Sequence, residues 1–126
     1  MGKGRRVWFL AAAWAVTIFL LSSIPGRSMP QVEVLRYDKV VHAVVYAVLG
    51  GLLFAAIRQS SSLTRGRVVA IAALFAVVYG LTDEFHQLFV PGRSAELNDA
   101  LADGIGGLFG ASIAAVLPFA KPDSAG

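Results

Sequence analysis

The stretch VVAIAALFAVVYGLTDEFHQLFVPGR, residues 68–93, decides the fold class. Val68 to Leu81 carry no charge, and the helical pattern runs on through Thr82-Asp83-Glu84-Phe85-His86-Gln87 to Val90, where Pro91-Gly92 breaks it. A mostly apolar helix of this length spans a bilayer, for which about 17–25 residues suffice. Its last turns nevertheless hold two carboxylates and an imidazole. Ionisable groups within a span cost about 2.5–3.5 kcal/mol each on insertion scales and usually face a protein interior or a wet cavity. One segment therefore predicts both a membrane helix and a polar site at its end.

Three more apolar runs flank it, at about residues 7–24, 40–57 and 98–117, with Asn98 expected as the N-cap of the last. Four spans nearly exhaust a chain of 126 residues, leaving a hydrophilic loop at 58–67 and a short tail from Lys121. The expectation is one domain, 1–126, an all-α integral membrane bundle of four transmembrane helices with spans at about 7–24, 40–57, 68–90 and 98–117. Composition agrees: 56% of residues are hydrophobic, 15% are charged and mean hydropathy is +0.67, against about 25% charged in soluble domains. The first run resembles a signal peptide in its basic start, but it exceeds the usual apolar length of about 7–15 residues and lacks a small-x-small cleavage site, so its retention is expected.

The net charge of +3 reads as topology and not as nucleic-acid affinity. Lys3, Arg5, Arg6, Arg58, Arg65, Arg67 and Lys121 fall on one side, and Arg27, Arg36, Lys39 and Arg93 on the other. Seven against four places both termini in the cytoplasm. No cysteine occurs, which excludes disulfides, thiolate metal ligands and a cysteine nucleophile.

This topology gathers the polar residues at the extracytoplasmic ends of the helices. Asp38, His42 and Tyr46 share one stripe of the second span, Asp83 and His86 pair on the third beside Glu84 and Gln87, and Asp99 and Asp103 stand one turn apart on the fourth. Lys39 and Arg93 supply fixed cations. His42, Asp83, Glu84 and His86 are the candidate catalytic groups; Asp38, Lys39, Tyr46, Gln87, Arg93, Asp99 and Asp103 are the candidate ligand-binding groups. Three chemistries fit. Imidazole with carboxylate can hold a divalent cation, although no strong metal signature such as HExxH is present. A carboxylate and a histidine can work as general acid and base. Lys39, Arg93 and outward helix N-termini can attract phosphate or carboxylate, although the excess of acids opposes a purely anionic ligand. Ser22-Ser23 lie near this end without the Gly-x-Ser-x-Gly setting of a nucleophile. Gly50-Gly51 and Gly106-xxx-Gly110 read as helix-packing sites. Trp8, Trp14, Tyr37 and Phe89 read as interface anchors or lipid-facing aromatics.

The chain resembles the VanZ-like family of small bacterial membrane proteins. The resemblance rests on Asp38-Lys39-x-x-His42-x-x-x-Tyr46, on Thr82-Asp83-Glu84-Phe85-His86-Gln87-Leu88-Phe89-Val90-Pro91-Gly92-Arg93-Ser94, and on Asp99-x-x-x-Asp103-x-x-Gly106-x-x-x-Gly110. Ala43, in place of an aromatic, and Ala95-Glu96 depart from the family pattern without touching the ionisable set. The resemblance implies a multi-pass protein of the bacterial cytoplasmic membrane, in a family whose founding member is associated with teicoplanin tolerance. It assigns no reaction. The expectation combining both lines is an extracytoplasmic polar pocket that acts on or binds a lipid-linked envelope component. A noncatalytic shielding protein or a small transporter with a proton relay is the alternative. The partners expected are the lipid bilayer and a lipid-linked envelope precursor, with no nucleic acid; the cofactor is left open, with a divalent cation among the chemistries that fit.

Reporter fusions at Ser61 and Ser94 are expected to report opposite compartments, with Ser61 cytoplasmic. The same compartment for both would contradict the four-span topology.

Overall fold

A computed structural model describes residues 2–25, 38–93 and 95–117. Tyr37, Arg27, Arg36, Ser94 and the tail from Lys121 lie outside the described residues, as does the side chain of Asp38. Four helices follow one another: α1 Lys3–Ser22, α2 Asp38–Ser60, α3 Arg65–Gln87 and α4 Leu97–Val116. Each is long and apolar enough to cross a membrane. Their large apolar side chains stay on the outside; Phe9, Leu74, Ile105 and Phe109 are all more than 60% exposed, as lipid-facing positions require.

The helices alternate in direction. At the lower end Trp8 Nε1 near the start of α1 donates to Ser60 Oγ at the end of α2 (2.7 Å), and Arg65 at the start of α3 donates to the Ala115 carbonyl near the end of α4 (3.2 Å). The ends of α1 and α3 and the starts of α2 and α4 therefore share the opposite, upper end. Buried Arg58 donates to the Leu63 carbonyl and closes the α2–α3 loop, and the Thr64 side chain caps α3 by accepting from the Arg67 amide.

The α2–α4 interface is the most extensive in the molecule, followed by α3–α4, while α1 packs mainly on α2. Glycine makes the first of these possible. A Cβ at Gly106 or Gly110 would meet the Ala43 or Ala47 backbone, and one at Gly50 would meet the backbone of Gly107. Backbone lies against backbone between residues 43–50 of α2 and 106–110 of α4, as small residues at four-residue spacing allow in a membrane. Behind this seam, Gly107 also faces the Ala76 methyl and Gly80 faces the Asp103 side chain, so α3 closes on the other side of α4. Tyr46, Leu49, Phe54, Val68 and Ala72 fill the core between them.

Three expectations are corrected in detail. α3 ends at Gln87 and not at Val90, because the amides of Leu88, Phe89 and Val90 bond three residues back and form turns; the residue before a proline is disfavoured in α geometry. Gly92, at φ 74°, then completes the reversal. The N-cap of α4 is Glu96 and not Asn98, which lies inside the first turn. The Glu96 side chain does not cap the helix; instead the Glu96 amide donates to Glu84 Oε2 at 2.8 Å. Trp14 is not a lipid-facing aromatic: it packs against the core, and its Nε1 donates to the Val45 carbonyl of α2 at 2.9 Å.

Gly110→Leu and Gly106→Leu are expected to destabilise the detergent-solubilised protein by more than the about 1–3 kcal/mol typical of overpacking, since backbone cannot yield as a side chain does. Gly66→Ala, with nothing near its Cβ position, should leave the thermal midpoint unchanged. Equal melting of all three variants and the parent would refute the seam.

Candidate functional site

The alternation of the helices brings together residues from four segments. At the upper end a cavity of about 170 Å³ is lined by Ser22 of α1, His42 and Tyr46 of α2, Asp83 and Gln87 of α3, and Arg93 of the following turn. Its polar walls are deeply buried: Tyr46 is 1% exposed, Gln87 3% and Asp83 6%; Glu84, beside them on α3, is 6% exposed.

The centre of the arrangement is a pair between helices. His42 Nδ1 donates to Asp103 Oδ1 at 2.6 Å, and the Asp103 side chain is wholly buried. The pair exists because Ala43 sits directly on Gly106, which fixes the α2 register one residue from His42. Asp103 in turn occupies space that any side chain at position 80 would take: a Cβ at Gly80 would lie 2.7 Å from Asp103 Oδ2. One carboxylate oxygen thus serves α2 while the other points to α3. Glu84 follows Gly80 by one turn on that same face of α3. Donor atoms of His42, Glu84 and Asp103 come within 4.8 Å of one another.

The fixed cations are committed to the frame. Arg93 donates from Nε to the Ile24 carbonyl and from an Nη to the Leu21 carbonyl, both at 2.8 Å, and so ties the α3–α4 turn to the C-terminal end of α1 while lining the cavity. It satisfies carbonyls that a helix end leaves without intrahelical partners. Lys39 reaches Glu96 at 3.1 Å and the buried Asp99 at 3.6 Å. Glu84 is divided: Oε2 holds the N-cap of α4, and Oε1 has no hydrogen-bond partner.

Of the expected site residues, His42, Tyr46, Asp83, Glu84, Gln87, Arg93 and Asp103 lie at or beside the cavity. Lys39 and Asp99 do not line the cavity; they lie 3.6 Å apart between the starts of α2 and α4. His86 turns toward α1, where it stacks on Phe19 with ring centroids 4.4 Å apart and its Nε2 lies 2.8 Å from Ser23 Oγ. The two histidines, grouped as catalytic candidates in the sequence, consequently serve different neighbours. Ser22 had only its proximity in the sequence reading; the structure puts it on the cavity wall and within hydrogen-bonding reach of Asp83. No local motif marks it.

Chemically, the arrangement can orient one imidazole against a carboxylate, present carboxylates to a small group in the cavity, or hold a cation among His42, Glu84 and Asp103. A separate open groove of about 1310 Å³ runs along the outer face between α2 and α4, lined by Val44, Ala47, Val48, Phe109 and Ile113, with Lys39 at its upper rim.

Comparison with known proteins finds a match to the VanZ/LLP1 family model over residues 7–118. No curated protein and no solved structure matches the chain. The matched range takes in all four helices except the first turn of α1, and with them every residue of the polar cavity; the chain belongs to the VanZ-like family of membrane proteins.

Proposed function

We propose that the upper cavity opens to the extracytoplasmic side of a bacterial cytoplasmic membrane and acts on a lipid-linked component of the cell envelope. The observation that carries this reading is the His42–Asp103 pair at 2.6 Å, beside a small cavity walled by Asp83 and Gln87. Holding an imidazole by one nitrogen against a buried carboxylate fixes its orientation and stabilises its protonated form, which is what a general acid or base requires. A fold needs no such group within a span, and placing it there is costly. His42 is the proton carrier in this account, Asp103 positions it, Asp83 and Glu84 are the further acid–base groups, and Arg93 faces an anionic head group. The basic residues at the lower end orient that end toward the cytoplasm. The apolar α2–α4 groove suits the chain of a lipid-linked ligand, and interference with glycopeptide action follows from handling an envelope precursor.

A noncatalytic binding or shielding role has one observation in its favour. The cavity, at about 170 Å³, is smaller than the about 300–1,000 Å³ of common small-molecule sites, so a single phosphate- or carboxylate-sized group fills it.

Amide substitutions separate the two readings. His42→Gln and Asp83→Asn are expected to insert normally, keep a thermal midpoint near that of the parent, and return teicoplanin tolerance to the level of cells without the protein. Glu84→Gln retains an oxygen for the Glu96 amide, yet the catalytic reading expects it to be as damaging as Glu84→Ala, since general acid–base groups contribute about 100- to 10,000-fold. Parental tolerance from Glu84→Gln at matched protein level would remove the catalytic reading and leave the binding one.

A further inference from the structure

The charges around the cavity are unbalanced. Asp83, Glu84, Asp99 and Asp103 are all buried, and the cations that face them are Lys39 and Arg93. Lys39 is shared with the exposed Glu96, and a buried charge is costly unless it is paired, protonated or bound to a metal.

Among the described residues, two oxygens between α3 and α4 have no hydrogen-bond partner although they belong to side chains more than nine-tenths buried: Glu84 Oε1 and Asp103 Oδ2. Buried acceptors of this kind ordinarily find a donor. Both lie in the group formed with His42, whose donor atoms come within 4.8 Å of one another. Ligands bound at about 2.0–2.2 Å from a shared ion stand at most about 4.4 Å apart, so a small movement of side chains closes the set.

From this geometry we propose that His42, Glu84 and Asp103 bind one divalent cation. One imidazole and two carboxylates suit Mn²⁺, Fe²⁺ or Zn²⁺ better than Mg²⁺ or Ca²⁺, which favour all-oxygen sets. Three protein ligands leave coordination positions open, the pattern of sites that take up an external ligand. The ion supplies positive charge among the carboxylates and admits an oxyanion, such as the phosphate of a lipid-linked head group, to a cavity whose acids alone repel it. This assignment rests on the reading of the cavity as the working site; with the ion bound, His42 and Glu84 serve as ligands and proton transfer falls to Asp83. It adds the chemical class of what enters: a phosphate-like oxyanion bound through a metal.

The test uses the full-length chain in nanodiscs, stripped with a chelator and titrated with Mn²⁺ alone. Electron paramagnetic resonance is expected to count about one bound ion per chain, and pulsed measurements to detect coupling to an imidazole nitrogen. Asp103→Asn and Glu84→Gln should weaken binding by about tenfold or more, while Glu96→Gln, an exposed acid near the same end, should not. If the variants fail to fold, the nitrogen coupling in the parent protein still decides. Absence of bound Mn²⁺ at millimolar concentration, or bound Mn²⁺ without nitrogen coupling, would overturn the metal site. Loss of tolerance in His42→Gln together with no Mn²⁺ binding by the parent would retire the cation and keep the cavity as the functional site. Nitrogen-coupled Mn²⁺ with parental tolerance in His42→Gln would do the reverse.

Discussion

Close backbone contact between α2 and α4 is the constraint on which the rest of the structure depends. In a bilayer the lipid chains compete for apolar surface as well as any helix does, so two spans associate through close packing. Here Gly50, Gly106, Gly107 and Gly110 remove every side chain from the contact line, and Ala43 and Ala47 complete it. The register is consequently fixed by shape. His42 adjoins Ala43, and Asp103 precedes Gly106 by almost one turn, so the contact that joins the helices also sets the imidazole against the carboxylate.

The second consequence is electrostatic. Once α4 is held against α2, α3 can approach only because position 80 is glycine, and the Asp103 carboxylate fills the room left there. Acidic groups from two helices are thereby brought into one small volume around His42. The ion pairs available to them lie at the periphery: Lys39 is half-exposed at the rim, and Arg93 is shared with the carbonyls that end α1. A structure built for stability alone would replace such a cluster with apolar side chains, a change that is often neutral or stabilising in buried ionic sites. The proposed handling of a small charged group rests on the presence of this cluster at one end of the bundle.

Much of this architecture was legible in the sequence because the bilayer imposes so strong a rule: four apolar runs of spanning length admit few arrangements. The convergence of His42, Asp83 and Asp103 followed from alternating helix directions alone, and the packing role of Gly106 and Gly110 from their four-residue spacing. What escaped depends on tertiary contacts. The cap of α4 lies at Glu96 because a carboxylate on another helix, Glu84, receives its amide. Trp14 looked like an interface anchor by position, yet its partner is a carbonyl 31 residues away. Lys39 and Arg93 read as ligand-binding cations; the partners they take within the protein, Glu96, Asp99 and the end of α1, carry no local signal. His86 shares a helix turn with Asp83 but rotates to α1, where Phe19 and Ser23 receive it.

The most direct measurement of this account is a double-mutant cycle on His42 and Asp103, read from the reversible unfolding of the purified protein in detergent. If the glycine seam delivers these two side chains to each other as a charge-assisted pair, the coupling energy should be about 1.5–3 kcal/mol. Additivity of the single His42→Ala and Asp103→Ala effects to within about 0.5 kcal/mol would show that the residues do not interact, and would contradict both the register of α2 on α4 and the site built upon it.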